Sequence, residues 1–410
     1  MFSNKNGKEL KLSPIKEMEM RSSKIPGVVS LAQGIPNFKA PQCVYRKVTE
    51  TIQEGKADKY SLSPGTLELR EAIEVDLAKK GINYDFESEI IVTAGAIEAI
   101  TATLLTFVDR GEEVLIPDPT YTSYQEAIKN AGGVPIFFPL DEKSGWSLDI
   151  KNIEKKINSK TRAILFCNPN NPTGTVYTND QLLKILELAQ RHNLYILSDE
   201  VYRDFIFDDT EFYSLARFSE FRKKIIYIFS FSKSYAMTGW RVGFLAADQE
   251  ITKKILATHD VLITCAPVVS QWGALAALEM ASEDVENFKK EFYQRRELIC
   301  GYLDKLKNWF DYQKPEAAYF VFPKLSDNLI EKLEKTKAGN QYEMKDYQKT
   351  SNSWRFALEL LYEAKVALVP GASFGENGEN HLRACFGRSE EDIEKSFARI
   401  ERYLKKKYGN

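Results

Sequence analysis

From Glu89 onward the sequence keeps a regular beat. Short apolar runs at residues 90–93, 113–116, 134–138, 162–167, 194–197 and 225–229 read as strands. Residues 97–108, 123–131 and 179–192 read as helices set between them. A chain that alternates in this way has few folds open to it. Right-handed crossovers stack the strands into an α/β, doubly wound, mostly parallel sheet. In such a sheet ligands bind beyond the carboxyl ends of the strands, so the residues that follow each strand are the candidates for chemistry.

Those residues are reactive or ligand-binding at one strand end after another. The run at 90–93 is followed by "AGAIEA", in which Gly95 opens a helix whose free N–H groups and positive dipole end suit a phosphate. After 113–116 comes "PDPTYTSY", where prolines set the loop and Tyr121 projects; after 162–167 comes "NPNNPTG", presenting Asn168 and Asn171. The segment "SDEVY" supplies Asp199 and Tyr202, and "SFSK" supplies Ser230, Ser232 and Lys233, with Arg241 following a Gly-Trp pair.

Lys233 is the centre of this set. A lysine with a pKa of about 10.4 is neutral in roughly one copy in 2,500 at pH 7, and only the neutral amine attacks an aldehyde. A semi-buried strand end beside a cation such as Arg241 disfavours the charged form, which suits a Schiff-base role. Alone, the stretch fits a surface lysine just past a strand equally well; the other strand ends argue for the reactive reading. A lysine, a carboxylate, an asparagine, tyrosines, serines and a phosphate-binding helix end are what pyridoxal 5′-phosphate requires: its aldehyde needs the lysine, and its pyridine nitrogen needs an anion.

Composition narrows the field. The net charge is −2 and the pI about 6.1, so no field favours nucleic acid or an anionic membrane. The 5 cysteines and 3 histidines are scattered, without a Cys-x-x-Cys pair, which points to no metal site, no disulfide framework and a reduced cytoplasm. No stretch approaches the length that spans a bilayer, and the polar N-terminus lacks an apolar targeting core. Neither G-x-x-x-x-G-K-[ST] nor G-x-G-x-x-G occurs.

The 410 residues suffice for two or three domains. Residues 49–284 are expected to form a large cofactor-binding domain, and residues 1–48 with 285–410 a smaller α/β domain. A short helix starts at Ser13 and Pro14, a short strand in the stretch from Val28 to Pro41 runs into a loop at Gly34, Pro36 and Pro41, and a helix at 67–80 is capped by Thr66. Past 285 come charged helices, a strand pair around "AAYFVFPKL", and a charged stretch at 326–354 that reads as a surface elaboration.

"NPNNPTG", "SDEVY", "SFSKSYAMTGWRVGF", "VPGASFG" and "HLRACFG", in this order and spacing, resemble the pyridoxal phosphate-dependent aminotransferases of fold type I, class I and II, on the branch with prokaryotic aspartate and aromatic and with kynurenine aminotransferases. The resemblance runs from about residue 29 to 404. It implies that Lys233 binds the cofactor covalently and shuttles the substrate proton, and that Asp199 pairs with the ring nitrogen. Asn171 and Tyr202 would bond the ring oxygen and Tyr121 would stack on the ring. The phosphate would rest on the amides of Gly95, Ala96 and Ile97, with Ser230, Ser232 and Arg241 around it. Relatives often have a glycine and a polar residue where this chain has Ala96 and Ile97, which removes side-chain bonds and leaves the backbone donors. Tyr60 would reach the phosphate of the neighbouring subunit, implying a homodimer with shared active sites. Arg383 would grip the substrate α-carboxylate, completed by Gly34 and Asn171, with Ile35 beside the side-chain pocket. The activity implied is two-stage transfer of an amino group from an L-amino acid to a 2-oxo acid such as 2-oxoglutarate. The same scaffold also supports a lyase on sulfur amino acids or on S-adenosylmethionine. A non-catalytic effector domain of a transcription regulator is disfavoured, since only about thirty residues precede the first motif.

Overall fold

A computed structural model describes residues 13–335 and 342–409 of the chain. An 8-stranded sheet forms its centre. Across the sheet the strands are Ile90–Thr93, Gly243–Ala247, Ile225–Ser230, Tyr195–Asp199, Thr161–Cys167, Glu113–Asp118, Val134–Asp141 and Ser147–Leu148. All run parallel except Gly243–Ala247 and the short edge strand Ser147–Leu148.

Every strand expected from the sequence is present. The antiparallel Gly243–Ala247 was not anticipated; it hides in the "RVGF" run, where the chain turns back through Arg241 at φ +54 and inserts between the first and last parallel strands. Strand Ile225–Ser230 is buried at every position, as its unbroken apolar run requires. It has a parallel neighbour on one side and this antiparallel one on the other. Chain order reverses between Glu113–Asp118 and Thr161–Cys167. Such a switch point splays the loops at the carboxyl ends apart and opens a crevice.

Helices Ala96–Phe107, Thr122–Asn130 and Asn179–Arg191 lie within a few residues of the expected spans. Leu67–Lys79 also forms, but Thr66 makes no side-chain cap; its N–H donates instead to Gln271 Oε1 at 2.7 Å.

Outside the sheet, Val29–Ser30 pairs in parallel with Val366–Ala367 across most of the chain's length. A 3-stranded antiparallel sheet joins Phe320–Val321, Leu382–Cys385 and Val369–Pro370. The expected strand pair in "AAYFVFPKL" is therefore corrected. Phe320–Val321 and Lys324–Leu325 are strands, but Pro323 lies between them without an N–H to donate, and each pairs elsewhere, the second with Phe310–Asp311. The charged stretch 326–354 lies partly outside the described residues. Its described part buries Leu329, Leu333 and Trp354 and ties Gln348 and Lys345 to Glu17 of helix Pro14–Ser22.

Candidate active site

Lys233 sits on a single helical turn, Phe231–Ser234, directly after strand Ile225–Ser230, and Ser230 Oγ caps that turn by accepting from Ser232 N–H. The buried strand thus fixes the lysine's root while the turn aims it across the sheet edge. Its Nζ donates to the Gly34 carbonyl at 2.9 Å, in the segment just past strand Val29–Ser30. Lys233 keeps some surface open to a cavity, yet the protein packed round its amine pushes the pKa down to about 8. Arg383 pushes in the same direction, and Cys385 and Asp199 oppose it. The cation beside Lys233 is therefore Arg383 rather than the expected Arg241, whose guanidinium turns away to the carbonyls of Thr238 and Ala94 at 2.9 and 3.2 Å.

Asp199 closes strand Tyr195–Asp199. Burial pushes its carboxyl up to about 6, against the hydrogen bond that Tyr124 OH donates at 2.6 Å. Tyr124 is fully buried and Asp199 nearly so, and in such low-dielectric surroundings a charge-assisted hydrogen bond is strong.

Asn171, Tyr202 and Arg383 form a second cluster. Arg383 Nη1 donates to Asn171 Oδ1 at 3.1 Å, Nη2 to the Ala32 carbonyl at 2.5 Å, and Asn171 Nδ2 to Tyr202 OH at 3.4 Å. Arg383 is 1% exposed, and its Nε has no partner among the described residues. A buried guanidinium with a donor to spare fits a ligand carboxylate. Phe320 and Phe374 lie against its guanidinium, at 4.5 and 5.1 Å from the ring centroids.

At the first strand end, Gly95 has φ +83, and a Cβ there would lie 2.7 Å from Arg241 Nη2. Only glycine lets the arginine close over the start of helix Ala96–Phe107. The expected amide cradle is narrower than three residues, since Gly95 N–H donates to the Thr93 carbonyl at 2.8 Å. That leaves Ala96 and Ile97, at the first helical positions, where no preceding helical carbonyl can accept from them. Ser230 and Ser232 stand nearby, joined through their hydroxyls at 2.9 Å.

A cavity of about 290 Å³ unites these groups. Its walls include Gly34, Ile35, Ala96, Ile97, Tyr121, Asn171, Asp199, Tyr202, Ser230, Ser232, Lys233, Arg241 and Arg383 from the expected set. Gly95 underlies the wall without lining it, and Tyr60 lies elsewhere, 83% exposed. Asn168 faces away, its Oδ1 accepting from Tyr177 N–H at 3.0 Å. Sequence reasoning missed Tyr124, Cys167, Phe320 and the cavity residues Ile15, Lys16 and Gln33. Tyr124 had a usable signal, being one helical turn past Tyr121 and so on the same face.

The donor set matches pyridoxal phosphate: a neutralisable lysine, a carboxylate beyond a strand end, a basic helix-start cradle and a spare guanidinium. Among the described residues no group of three or more His, Cys, Asp and Glu side chains converges as a metal site would require.

A family model described as aminotransferase class I and II matches residues 26–400. The chain is 34% identical over 398 residues to aromatic-amino-acid aminotransferase 2 of Thermococcus litoralis, covering 96% of each chain. It is 35% identical over 383 residues to the aspartate aminotransferase of Pyrococcus abyssi, covering 93% and 92%. The crystal structure of an aromatic aminotransferase from Pyrococcus horikoshii superposes with a TM-score of 0.84 at 35% identity, over 95% of this chain and 99% of that one.

Proposed function

The chain belongs to the class I and II aminotransferases, pyridoxal-phosphate enzymes that move an amino group from an amino acid to a 2-oxo acid, and we propose that its donors are apolar or aromatic L-amino acids and its acceptor 2-oxoglutarate. The observation that carries this reading is Lys233: a desolvated amine brought down to about 8, in one cavity with Asp199 and the spare donor of Arg383. The apolar wall of Ile15, Ile35, Ile97 and Ile100 and the aromatic-amino-acid relatives support the donor class.

When bound, pyridoxal phosphate supplies an aldehyde for the substrate amine and a ring that takes up the electron pair left at the substrate α-carbon. Lys233 would hold it, with Asp199 at the ring nitrogen, Tyr121 against the ring, Asn171 and Tyr202 at the ring oxygen, and Ala96, Ile97, Ser230, Ser232 and Arg241 at the phosphate. Arg383 fixes the α-carboxylate with its planar fork, and Asn171, already bonded to Nη1, holds that fork in plane. At a pKa of about 8, roughly one Lys233 in ten is neutral at pH 7 and able to accept a proton at Nζ from the α-carbon.

The working unit is a cytoplasmic homodimer with shared sites. Exposed Tyr60, Leu62 and Val261, at 83%, 72% and 86%, support a face covered by a second copy, and 5 unpaired cysteines support a reducing compartment. Residues 49–284 act as the large domain and residues 1–48 with 285–410 as the small one, a division supported by the pairing of Val29–Ser30 with Val366–Ala367.

An absorbance spectrum of the purified protein tests the reading. The visible band of lysine-bound cofactor is expected in the wild type and lost in Lys233→Ala. L-Phenylalanine should bleach it and 2-oxoglutarate restore it. Pyruvate and ammonia released without any acceptor would replace the transferase with a lyase.

A further inference from the structure

Four cations line the cavity: Lys233, Arg241, Arg383 and Lys16. The first three are accounted for above. Lys16 lies on the first turn of helix Pro14–Ser22, its Nζ 2.9 Å from Glu19 Oε2, with the two side chains 56% and 35% exposed. The other oxygen of Glu19 accepts from Gln33 Nε2 at 2.6 Å. A chain of contacts thus runs from Lys16 through Glu19 to the residue beside Gly34.

We propose that Lys16 binds the second carboxylate of a dicarboxylic substrate, and that Glu19 holds it in reserve when the substrate side chain is apolar. The inference rests on the acceptor reading above. A two-stage aminotransferase passes donor and acceptor through the same cavity, so an apolar side chain and a carboxylate must occupy the same space in turn. Arg383 accounts for one carboxylate of 2-oxoglutarate; the other, left without a cation, would meet the isoleucine wall at a steep desolvation cost. An exposed, screened ion pair such as Lys16–Glu19 contributes little to stability, so a substrate carboxylate can displace Glu19 cheaply. With an apolar substrate the pair closes again, and no unpaired cation faces the side chain.

Lys16 is not carried on a loose terminus. Met18 is fully buried. Ser13 Oγ lies 3.0 Å from Thr122 Oγ1, next to Tyr121. Glu17 accepts from Arg21, Gln348 and Lys345 at 3.0, 3.0 and 3.2 Å. None of the described residues of the stretch at 326–354 lines the cavity, but through Gln348 and Lys345 it braces the helix that does.

The test is Lys16→Met in the holoenzyme, with the visible cofactor band as control for folding and loading. The ratio of kcat/KM for 2-oxoglutarate to that for 4-methyl-2-oxopentanoate is expected to fall about tenfold, which corresponds to about 1.4 kcal/mol. Calorimetric titration with glutarate and pentanoate, which do not turn over, should show the same loss of preference. An unchanged ratio in both measurements overturns the assignment of Lys16. A wild type that accepts oxaloacetate but not 2-oxoglutarate overturns the acceptor reading alone, and Lys16 is then judged by the same ratio with oxaloacetate. A wild type that turns over no dicarboxylic oxo acid overturns both.

Discussion

Asp199 and Glu200 are consecutive buried acids at the end of one strand, and they face different regions of the molecule. Burial raises both carboxyls, Asp199 to about 6 and Glu200 to about 7. Asp199 faces the cavity, with Tyr124 OH as its side-chain donor. Glu200 points into packed protein, where Oε1 accepts from Ser198 Oγ, Ser214 Oγ and Leu215 N–H at 3.0, 3.0 and 3.1 Å. Its Oε2 has no partner among the described residues, as suits a carboxyl that keeps its proton near neutral pH. A perturbed acid is therefore not in itself a functional one. What separates the two is an open space beside the carboxylate for a cationic partner, which Asp199 has and Glu200 lacks.

Substituting each acid is the most direct way to break that comparison. Asp199→Asn keeps the shape and removes the anion, and kcat/KM is expected to fall about 10³-fold in steady-state assays at pH 8. A loss below tenfold would mean that the cavity does not use the charge.

Tyr124→Phe sharpens the contrast with a smaller effect. A hydrogen bond to a charged acceptor contributes about 1.5–3 kcal/mol, so its loss should move the Asp199 carboxyl up by one to two pKa units, roughly. The acid limb of the kcat/KM profile then shifts to higher pH, with about a tenfold loss at pH 6 and much less at pH 8. A profile that keeps its shape would remove Tyr124 from the tuning of Asp199.

Glu200→Gln should leave kcat/KM within about twofold and act on stability instead. The folded Glu200 holds its proton up to about pH 7, whereas the unfolded side chain releases it near 4.3. The folded state therefore binds more protons across that window, and this contribution to stability is lost as pH rises through it. Asp199 acts with the same sign up to about 6. Between pH 6 and 7 the thermal midpoint of the wild type should fall more steeply than that of Glu200→Gln. A variant that lost activity as Asp199→Asn does would erase the distinction between the two regions.

Much of the fold was legible because strand and helix periodicities are local. The strand runs, the helices between them and the glycine that opens Ala96–Phe107 can each be read within about ten residues. The strand ends at Asn171, Asp199, Tyr202 and Lys233 were found because a parallel sheet gathers its carboxyl ends on one edge. The misses share a cause. Gly243–Ala247 reads as a continuation of the lysine loop until Arg241 turns the chain. Tyr124 resembles any packing aromatic until its hydroxyl meets Asp199, 75 positions away. Ile15 and Lys16 reach the cavity because an N-terminal helix is clamped by residues more than 300 positions later, and Gln33 because it follows a strand paired with Val366–Ala367.

By itself, then, the sequence determined the alternating architecture, the placing of reactive side chains at strand ends, and the resemblance that joins them into a cofactor site, because each depends on spacing along the chain. The tertiary structure alone decided which cation depresses Lys233, which tyrosine supports Asp199, which of two adjacent acids meets open space, and which lysine reaches the cavity wall paired with a displaceable acid. Those outcomes depend on distance, desolvation and burial among residues far apart in sequence, and such quantities exist only once the chain has closed on itself.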